Sequence, residues 1–278
     1  MQDICDRRRV RPVSPVKGRL PPAISLAPDE TVTEYRRDRL RQHTFDSYVG
    51  ISLSKFPEDL RAYEHLLWFS DATMVIELGV QFGASSLWFR DRLKAFAHYR
   101  QGGPQPTAAS AGLRERLRTY ARSGRDAPGS TPALVIGIDI DVSPARVSLE
   151  QADPGYADDI TLIEASVTDP ALPDRVAEMI PPGARCLVVE DSAHIYETTI
   201  ASLRGFSRFV PLNGFFVVED GTVDIEELRI HPRSPRGVLP AINDWLEHEG
   251  TGFTVRSDME LYGVTAHPGG FLERTEPR

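Results

Sequence analysis

Short, wholly apolar runs that break off in an acid alternate along the middle of the chain with longer stretches whose apolar positions recur every three or four residues. Met74-Val75-Ile76 runs into Glu77-Leu78-Gly79-Val80-Gln81-Phe82-Gly83, and Leu134-Val135-Ile136-Gly137-Ile138 stops at Asp139. Val188-Val189 stops at Glu190-Asp191, with His194 just beyond, and Val217-Val218 stops at Glu219-Asp220. An apolar run ending in acids is what a central parallel strand looks like when its carboxyl end opens into a ligand crevice. The pattern predicts strands at 74–76 and near 133–139, 160–164, 185–190 and 214–219, with helices near 143–152, 171–179 and 195–209 between the later ones. Right-handed crossovers put such helices on both faces of one mostly parallel sheet, an α/β doubly wound fold.

Upstream, Leu60, Tyr63, Leu66, Leu67 and Phe69 follow Pro57-Glu58-Asp59 at helical spacing, so Thr31 to Ser70 reads as a helical lead-in packed on the sheet. Ala84 to Phe96 is the expected first crossover helix, with Leu87, Trp88, Leu93 and Phe96 on its apolar face. A last helix near 237–249 carries Leu239, Ile242, Trp245 and Leu246 on one side. After it, Phe253-Thr254-Val255 and Leu261-Tyr262-Gly263-Val264 are expected to close the sheet as a hairpin-like pair. Two stretches break the pattern. Residues 1–30, rich in Arg and Pro, read as a flexible arm outside a single domain of residues 31–278. Residues 97–131, with Gly102-Gly103-Pro104 and a short basic helical patch around Leu113 to Tyr120, read as an insertion that is either a loop or a substrate lid or subunit contact. There is no internal repeat.

Composition narrows the class. With 278 residues, 41% of them hydrophobic, the chain can build a substantial core. A net charge of −8 argues against a general binder of nucleic acid or of membrane surfaces, either of which favours a basic face. Cys5 and Cys186 lie far apart and form neither a disulfide framework nor a thiolate metal cluster, which fits a reducing cytoplasm. No apolar segment follows Arg7-Arg8-Arg9, and no run approaches the roughly 18 apolar residues of a spanning helix, so neither export nor membrane insertion is expected.

The strand ends carry the candidate chemistry. Glu77-x-Gly79-x-x-x-Gly83 places bare backbone between a strand and a helix, where a ligand can approach closely. It lacks the dinucleotide fingerprint, and an acid two residues before the first glycine suits a ligand with a cationic ammonium and no phosphates, such as S-adenosylmethionine. Glycine at such turns also serves packing alone. Asp139 stands where an acid accepts hydrogen bonds from ribose hydroxyls, while Asp141 reads as a helix N-terminal acid. Asp191, Glu219 and Asp220 come from neighbouring strands, and their charges would repel unless something positive sat between them. A divalent metal answers that need, and oxygen-only ligation favours Mg²⁺, with Mn²⁺ and Ca²⁺ as alternatives and solvated helix caps as the plainer reading. Gly221 is the expected turn that lets Glu219 and Asp220 ligate together. His194 is placed to take a hydroxyl proton, or else caps its helix. His231 lies in a loop past the acidic cluster, within reach of a substrate, whereas His43, His65, His98, His248 and His267 have no comparable context.

Six segments together resemble the cephalosporin hydroxylase family, over about Tyr48 to Arg274. They are Tyr48-Val49-Gly50 with Lys55-Phe56-Pro57-Glu58-Asp59-Leu60, Ile76-Glu77-Leu78-Gly79-Val80, Ile136-Gly137-Ile138-Asp139-Ile140-Asp141, Glu190-Asp191-Ser192-Ala193-His194, Val218-Glu219-Asp220 and Pro268-Gly269-Gly270-Phe271-Leu272. Despite its name that family consists of S-adenosylmethionine-dependent methyltransferases, including macrolide and other natural-product sugar O-methyltransferases. The resemblance implies a class I methyltransferase fold, Rossmann-like, with seven strands. It also implies a metal held by Asp191, Glu219 and Asp220, and His194 as the base. The cofactor is expected on Glu77, Gly79, Gly83, Ser85, Asp139 and Asp191. The implied activity is metal-dependent methylation of a hydroxyl on a small natural product, a sugar or glycoside in antibiotic-type biosynthesis, with self-association left open. The long 97–131 segment, and Ser192-Ala193 where relatives often carry glycine and serine, are departures from the family pattern. A nicotinamide dehydrogenase, an oxygen-using hydroxylase and a non-catalytic cofactor-binding partner protein are the rival readings.

Overall fold

Seven strands form one sheet in the order β5-β4-β3-β6-β7-β9-β8 in a computed structural model of the chain, which describes residues 31–100, 134–229, 233 and 235–277. The chain enters through α1 (Val32–Gln42), a two-stranded ribbon of β1 (Ser47–Tyr48) and β2 (Ile51–Ser52), and α2 (Pro57–Phe69). The core units follow as β3 (Met74–Leu78), α3 (Ala84–Arg100), β4 (Leu134–Asp139), α4 (Ser143–Ala152), β5 (Ile160–Glu164), α5 (Leu172–Ala177), β6 (Cys186–Glu190), α6 (Tyr196–Phe206) and β7 (Phe215–Val218). The chain closes with α7 (Val238–His248), β8 (Phe253–Val255) and β9 (Phe271–Arg274). β3 to β7 run parallel, while β9 is antiparallel to both β7 and β8. This is the class I methyltransferase architecture.

β3 pairs β4 on one side and β6 on the other, so the connections reverse direction at β3 and leave a crevice above the carboxyl ends of β3 and β6. Burial fixes the register. Val75, Val135, Leu187, Val189 and Val217 face α2, α3 and α4, where Tyr63, Leu67, Phe89 and Leu149 cover them. Ile76, Ile136, Val188 and Phe216 face the other way, under Leu203, Phe206, Ile242 and Trp245. Each such side chain contributes about 1.5–3 kcal/mol of burial, and a one-residue slip would exchange the two sets between the faces and undo both packings.

The structure departs from the sequence reading in three places. The lead-in is two helices separated by a ribbon. α1 begins at a capping box in which Thr31 and Glu34 satisfy each other's backbone amides. α3 runs past Phe96 to Arg100, whose guanidinium bonds the carbonyls of Leu67 and Ala72, so the insertion begins at the far end of a packed helix. The rest of it, with the basic patch, and the N-terminal arm lie outside the described residues. Leu261–Val264 is not a strand: Tyr262 and Gly263 have φ of 62° and 66°, which no strand accommodates, and a 3₁₀ turn covers Leu261–Gly263. The partner of β8 is instead Phe271–Arg274, buried on both faces between β7 and β8. Among the described residues no helix is long and apolar enough to cross a membrane.

Candidate active site

The β3 loop and the β6 end meet so closely that glycine is obligatory between them. Gly79 has φ 94°, and a Cβ there would stand 1.9 Å from the Asp191 carbonyl oxygen. Asp191 N–H in turn donates to the Leu78 carbonyl at 2.7 Å, continuing the β3–β6 ladder past its last strand residue. Gly83, φ 81°, would press a Cβ to 2.9 Å from Leu149. Both glycines therefore have a packing reason, beside any ligand's need for bare backbone. Asp139 pins this loop: its Oδ2 accepts from Val80 N–H at 2.9 Å and Gln81 N–H at 3.1 Å. Glu77 is fully buried beneath it, with Oε2 accepting from the Ser86 hydroxyl and Oε1 without a partner. Burial raises its pKa, against the pull of Lys55, Ser85 and Ser86. The loop's outer side carries exposed Phe82, and a groove of about 250 Å³ lined by Val49, Ile51, Phe82, Gln151 and Ala152 opens beside it.

On the β6 and β7 side the acids divide into two groups. Asp191, His194 and Asp220 each offer a ligand atom, and these atoms lie within 4.8 Å of one another. His194 Nε2 is 3.3 Å from Asp220 Oδ2 and 4.0 Å from Asp191 Oδ1, and the three side chains are 24–27% exposed, half open to the crevice. His194 and Asp220 both adopt left-handed backbone, φ 55° and 56°, which turns their side chains back toward Asp191. The turn expected at Gly221 is thus made by Asp220 itself. Gly221 is needed for a different reason, since a Cβ there would meet the Pro268 carbonyl at 2.8 Å.

Glu219 is not in that group. Its two oxygens each stand 2.7 Å from Lys55 Nζ, and Oε1 also accepts the Tyr63 hydroxyl. Lys55 reaches Asp191 Oδ2 as well, at 2.9 Å, and is 2% exposed. The positive charge demanded by the crowded acids is therefore supplied in part by a lysine. Burial pushes the Lys55 ammonium toward its neutral form, but Asp191 and Glu219 outweigh it and hold its pKa above the ordinary lysine value. Burial also opposes the Glu219 charge, yet Lys55 holds that carboxyl down to about 2. Asp191 moves the other way, pushed well above the usual carboxylate range by burial and then by the Glu219 charge.

His267, read from the sequence as having no special context, lies at the floor of the site. Its Nδ1 accepts the Asp220 N–H at 3.0 Å, and its Nε2 points toward Asp59 Oδ2 at 3.5 Å. Lys55, Tyr63, Asp59 and His267 are the site residues that sequence reasoning missed. Their one local signal is polarity in apolar surroundings: Lys55 sits between Leu53 and Phe56, and Asp59 and Tyr63 lie one helical turn apart on the buried side of α2. His231 lies outside the described residues.

The family model described as Rhamnosyl O-methyltransferase/CmcI matches residues 41–275. Among solved structures, "CmcI-N160 apo-structure" aligns at TM-score 0.54 and 19% identity, over 94% of this chain and 91% of that one. "cmcI-D160 Mg-SAM" aligns at TM-score 0.52 and 18% identity, over 92% and 90% of the two chains. "cmcI-N160 SAH" aligns at 0.53 and 16%, over 93% and 99%. No curated protein matches the sequence.

Proposed function

The chain belongs to the rhamnosyl O-methyltransferase/CmcI family and is an S-adenosylmethionine-dependent O-methyltransferase; from that premise we propose that it methylates, with the help of Mg²⁺, a hydroxyl of a small natural product, a sugar or glycoside of secondary metabolism, in the cytoplasm. One structural match is described as holding Mg and S-adenosylmethionine, which supports the same pair of cofactors here. The residues present suit both. Glu77 Oε1 is a buried acceptor without a partner below a loop of bare backbone, which suits a ligand bearing an ammonium. Asp191 and Asp220 offer two carboxylates at a half-open site, and Mg²⁺ is commonly bound by one or two carboxylates with substrate and water completing its shell.

In this reading Glu77, Gly79, Gly83, Ser85 and Asp139 hold the cofactor, Asp191 faces both cofactor and metal, and Asp220 completes the cation's protein ligands. Glu219, the third acid of the expected set, holds Lys55 and so steadies Asp191 from behind. When bound, the cofactor would supply a methyl group made electrophilic by its sulfonium sulfur, and the cation would lower the pKa of a hydroxyl beside it. His194 Nε2, in a side chain partly open to the crevice, would take the proton of the acceptor hydroxyl. The crevice between β3 and β6 brings donor and acceptor together, which removes much of the entropic barrier.

The observation that carries the proposal is the grouping of Asp191, Asp220 and His194 past the carboxyl ends of β6 and β7, beside the point where the sheet order reverses. Its test is transfer of label from methyl-labelled S-adenosylmethionine to a panel of hydroxylated glycosides, with Mg²⁺ and after verified metal removal. Labelled ether product with Mg²⁺ alone is expected. Equal product without metal would overturn the cation's role, and cofactor binding without product across the panel would favour a non-catalytic partner.

A further inference from the structure

Asp220 is a non-glycine residue held at φ 56° and ψ 30°, a conformation that costs an L-residue on the order of 1 kcal/mol and needs a reason to persist. The reason lies below it. The Asp220 N–H points at His267 Nδ1, 3.0 Å away, and an N–H donor there requires that nitrogen to be the bare one. The ring proton is then on Nε2, aimed between Asp59 Oδ2 at 3.5 Å and Glu219 Oε2 at 3.8 Å. Asp59 is itself fixed, accepting from Thr265 Oγ1 at 2.5 Å and from Ala266 N–H at 2.9 Å. His267 N–H closes the loop on Thr265 Oγ1 at 2.9 Å, and the imidazole is only 1% exposed, edge-on to Phe271. A chain of contacts thus runs from α2 through a neutral imidazole to the backbone of one acid.

We propose that His267 is the positioning residue of the cation site, holding the Asp220 backbone in the left-handed turn that aims its carboxylate at Asp191 and His194. The inference rests on the cation reading given above and concerns only how this chain shapes its own ligand. Without the acceptor at Nδ1, Asp220 N–H is left unsatisfied and the residue relaxes toward φ below zero, carrying Oδ2 away from the cluster. Groups of this kind, which orient a ligand without touching the ion, are typically worth 10- to 100-fold in metal affinity.

The two ring nitrogens give a discriminating test. An Asn side chain carries its Oδ1 near the place of Nδ1, whereas a Gln side chain carries its Oε1 near the place of Nε2. His267→Asn, His267→Gln and His267→Leu are titrated with Mn²⁺, following the free-ion paramagnetic resonance signal, and with S-adenosylhomocysteine by calorimetry. His267→Asn is expected within about threefold of the wild-type Mn²⁺ affinity, and His267→Gln and His267→Leu weaker by about tenfold or more, with S-adenosylhomocysteine affinity unchanged throughout. Mn²⁺ affinity at the wild-type level in His267→Gln would overturn the assignment, as would equal losses of Mn²⁺ and S-adenosylhomocysteine in Asn and Gln alike. Should His267→Leu not fold, the Asn and Gln pair decides alone, both being polar. A wild type that binds no Mn²⁺ would overturn both this role and the cation reading; a wild type that binds Mn²⁺, with Gln equal to it, would overturn His267 alone.

Discussion

Glu219 and Asp220 are bonded neighbours at the end of β7, yet one is 1% exposed against Lys55 and Tyr63 while the other is half open beside His194 and Asp191. The left-handed turn at Asp220 is what separates them, sending one side chain down into the α2 face and the other up into the crevice. Acids crowded at adjacent strand ends are thus handled in two ways. Below, a tethered ammonium neutralises charge permanently, in a dry setting where an unpaired ion costs several kcal/mol. Above, the charge stays partly open to solvent, where the proposed function places an ion and a substrate hydroxyl. In the proposed reading the lower pocket serves stability and the upper cluster serves turnover, with the Lys55–Asp191 pair as the link between them, and the two should respond differently to substitution.

The largest effects are expected in the upper cluster, on rate alone. His194→Ala should lower kcat about 10²- to 10⁴-fold, the usual worth of a positioned base, while S-adenosylhomocysteine affinity holds. Asp191→Ala and excess EDTA should each suppress turnover at least as far. Full activity of His194→Ala in a methyl-transfer assay would remove the base from this site and turn attention to His231.

In the lower pocket the effect should fall on stability instead. Lys55→Met leaves Glu219 buried and unpaired, which breaks a buried ion pair at a cost of about 3–5 kcal/mol, read as a loss of denaturant midpoint. Lys55→Met combined with Glu219→Gln should recover most of it, because Gln still accepts the Tyr63 hydroxyl and the one carboxylate left without its ammonium, Asp191, is partly open to solvent. If the double variant is no more stable than the single, the pair is not the source of the loss.

Acid titration sharpens the same contrast. Glu219 is held down to about 2 from an ordinary 4.5, so its contribution is complete above pH 4.5 and disappears as the pH falls toward 2. In Lys55→Met the largest downward influence is gone and burial is opposed only by His267 and the Tyr63 hydroxyl, so the variant should lose less further stability over that window. Parallel acid-unfolding curves for the two proteins would count against Lys55 as the cause.

What the sequence made legible divides along the same line. α4 matches its expected limits of 143–152, and β4, β5 and β6 match theirs within a residue, because apolar periodicity and strand-terminal acids are local patterns. The upper cluster was legible for the same reason: Asp191, His194 and Asp220 sit at or just past strand ends, and topology alone brings strand ends together. Lys55, Tyr63 and His267 were not, since their partners lie 136, 156 and 47 residues away and no spacing rule spans such intervals. The same holds for β9, which pairs by insertion between β7 and β8 and not as the return arm of a hairpin from β8.

The smallest expected change is the most specific to this comparison. Asp220→Asn removes the charge but keeps a residue that tolerates left-handed backbone, and the partly open side chain has no buried ion partner to strand. Its folding stability should therefore stay within about 0.5 kcal/mol of wild type even as Mn²⁺ affinity falls. Asp220→Ala removes the same carboxylate and adds the cost of alanine at φ 56°, so it should be less stable than Asp220→Asn by about 1 kcal/mol. That difference isolates the strain in the turn from the charge at its tip. Equal stability of Asp220→Asn and Asp220→Ala in urea denaturation would mean that the turn stores no strain, and that nothing need hold Asp220 in place.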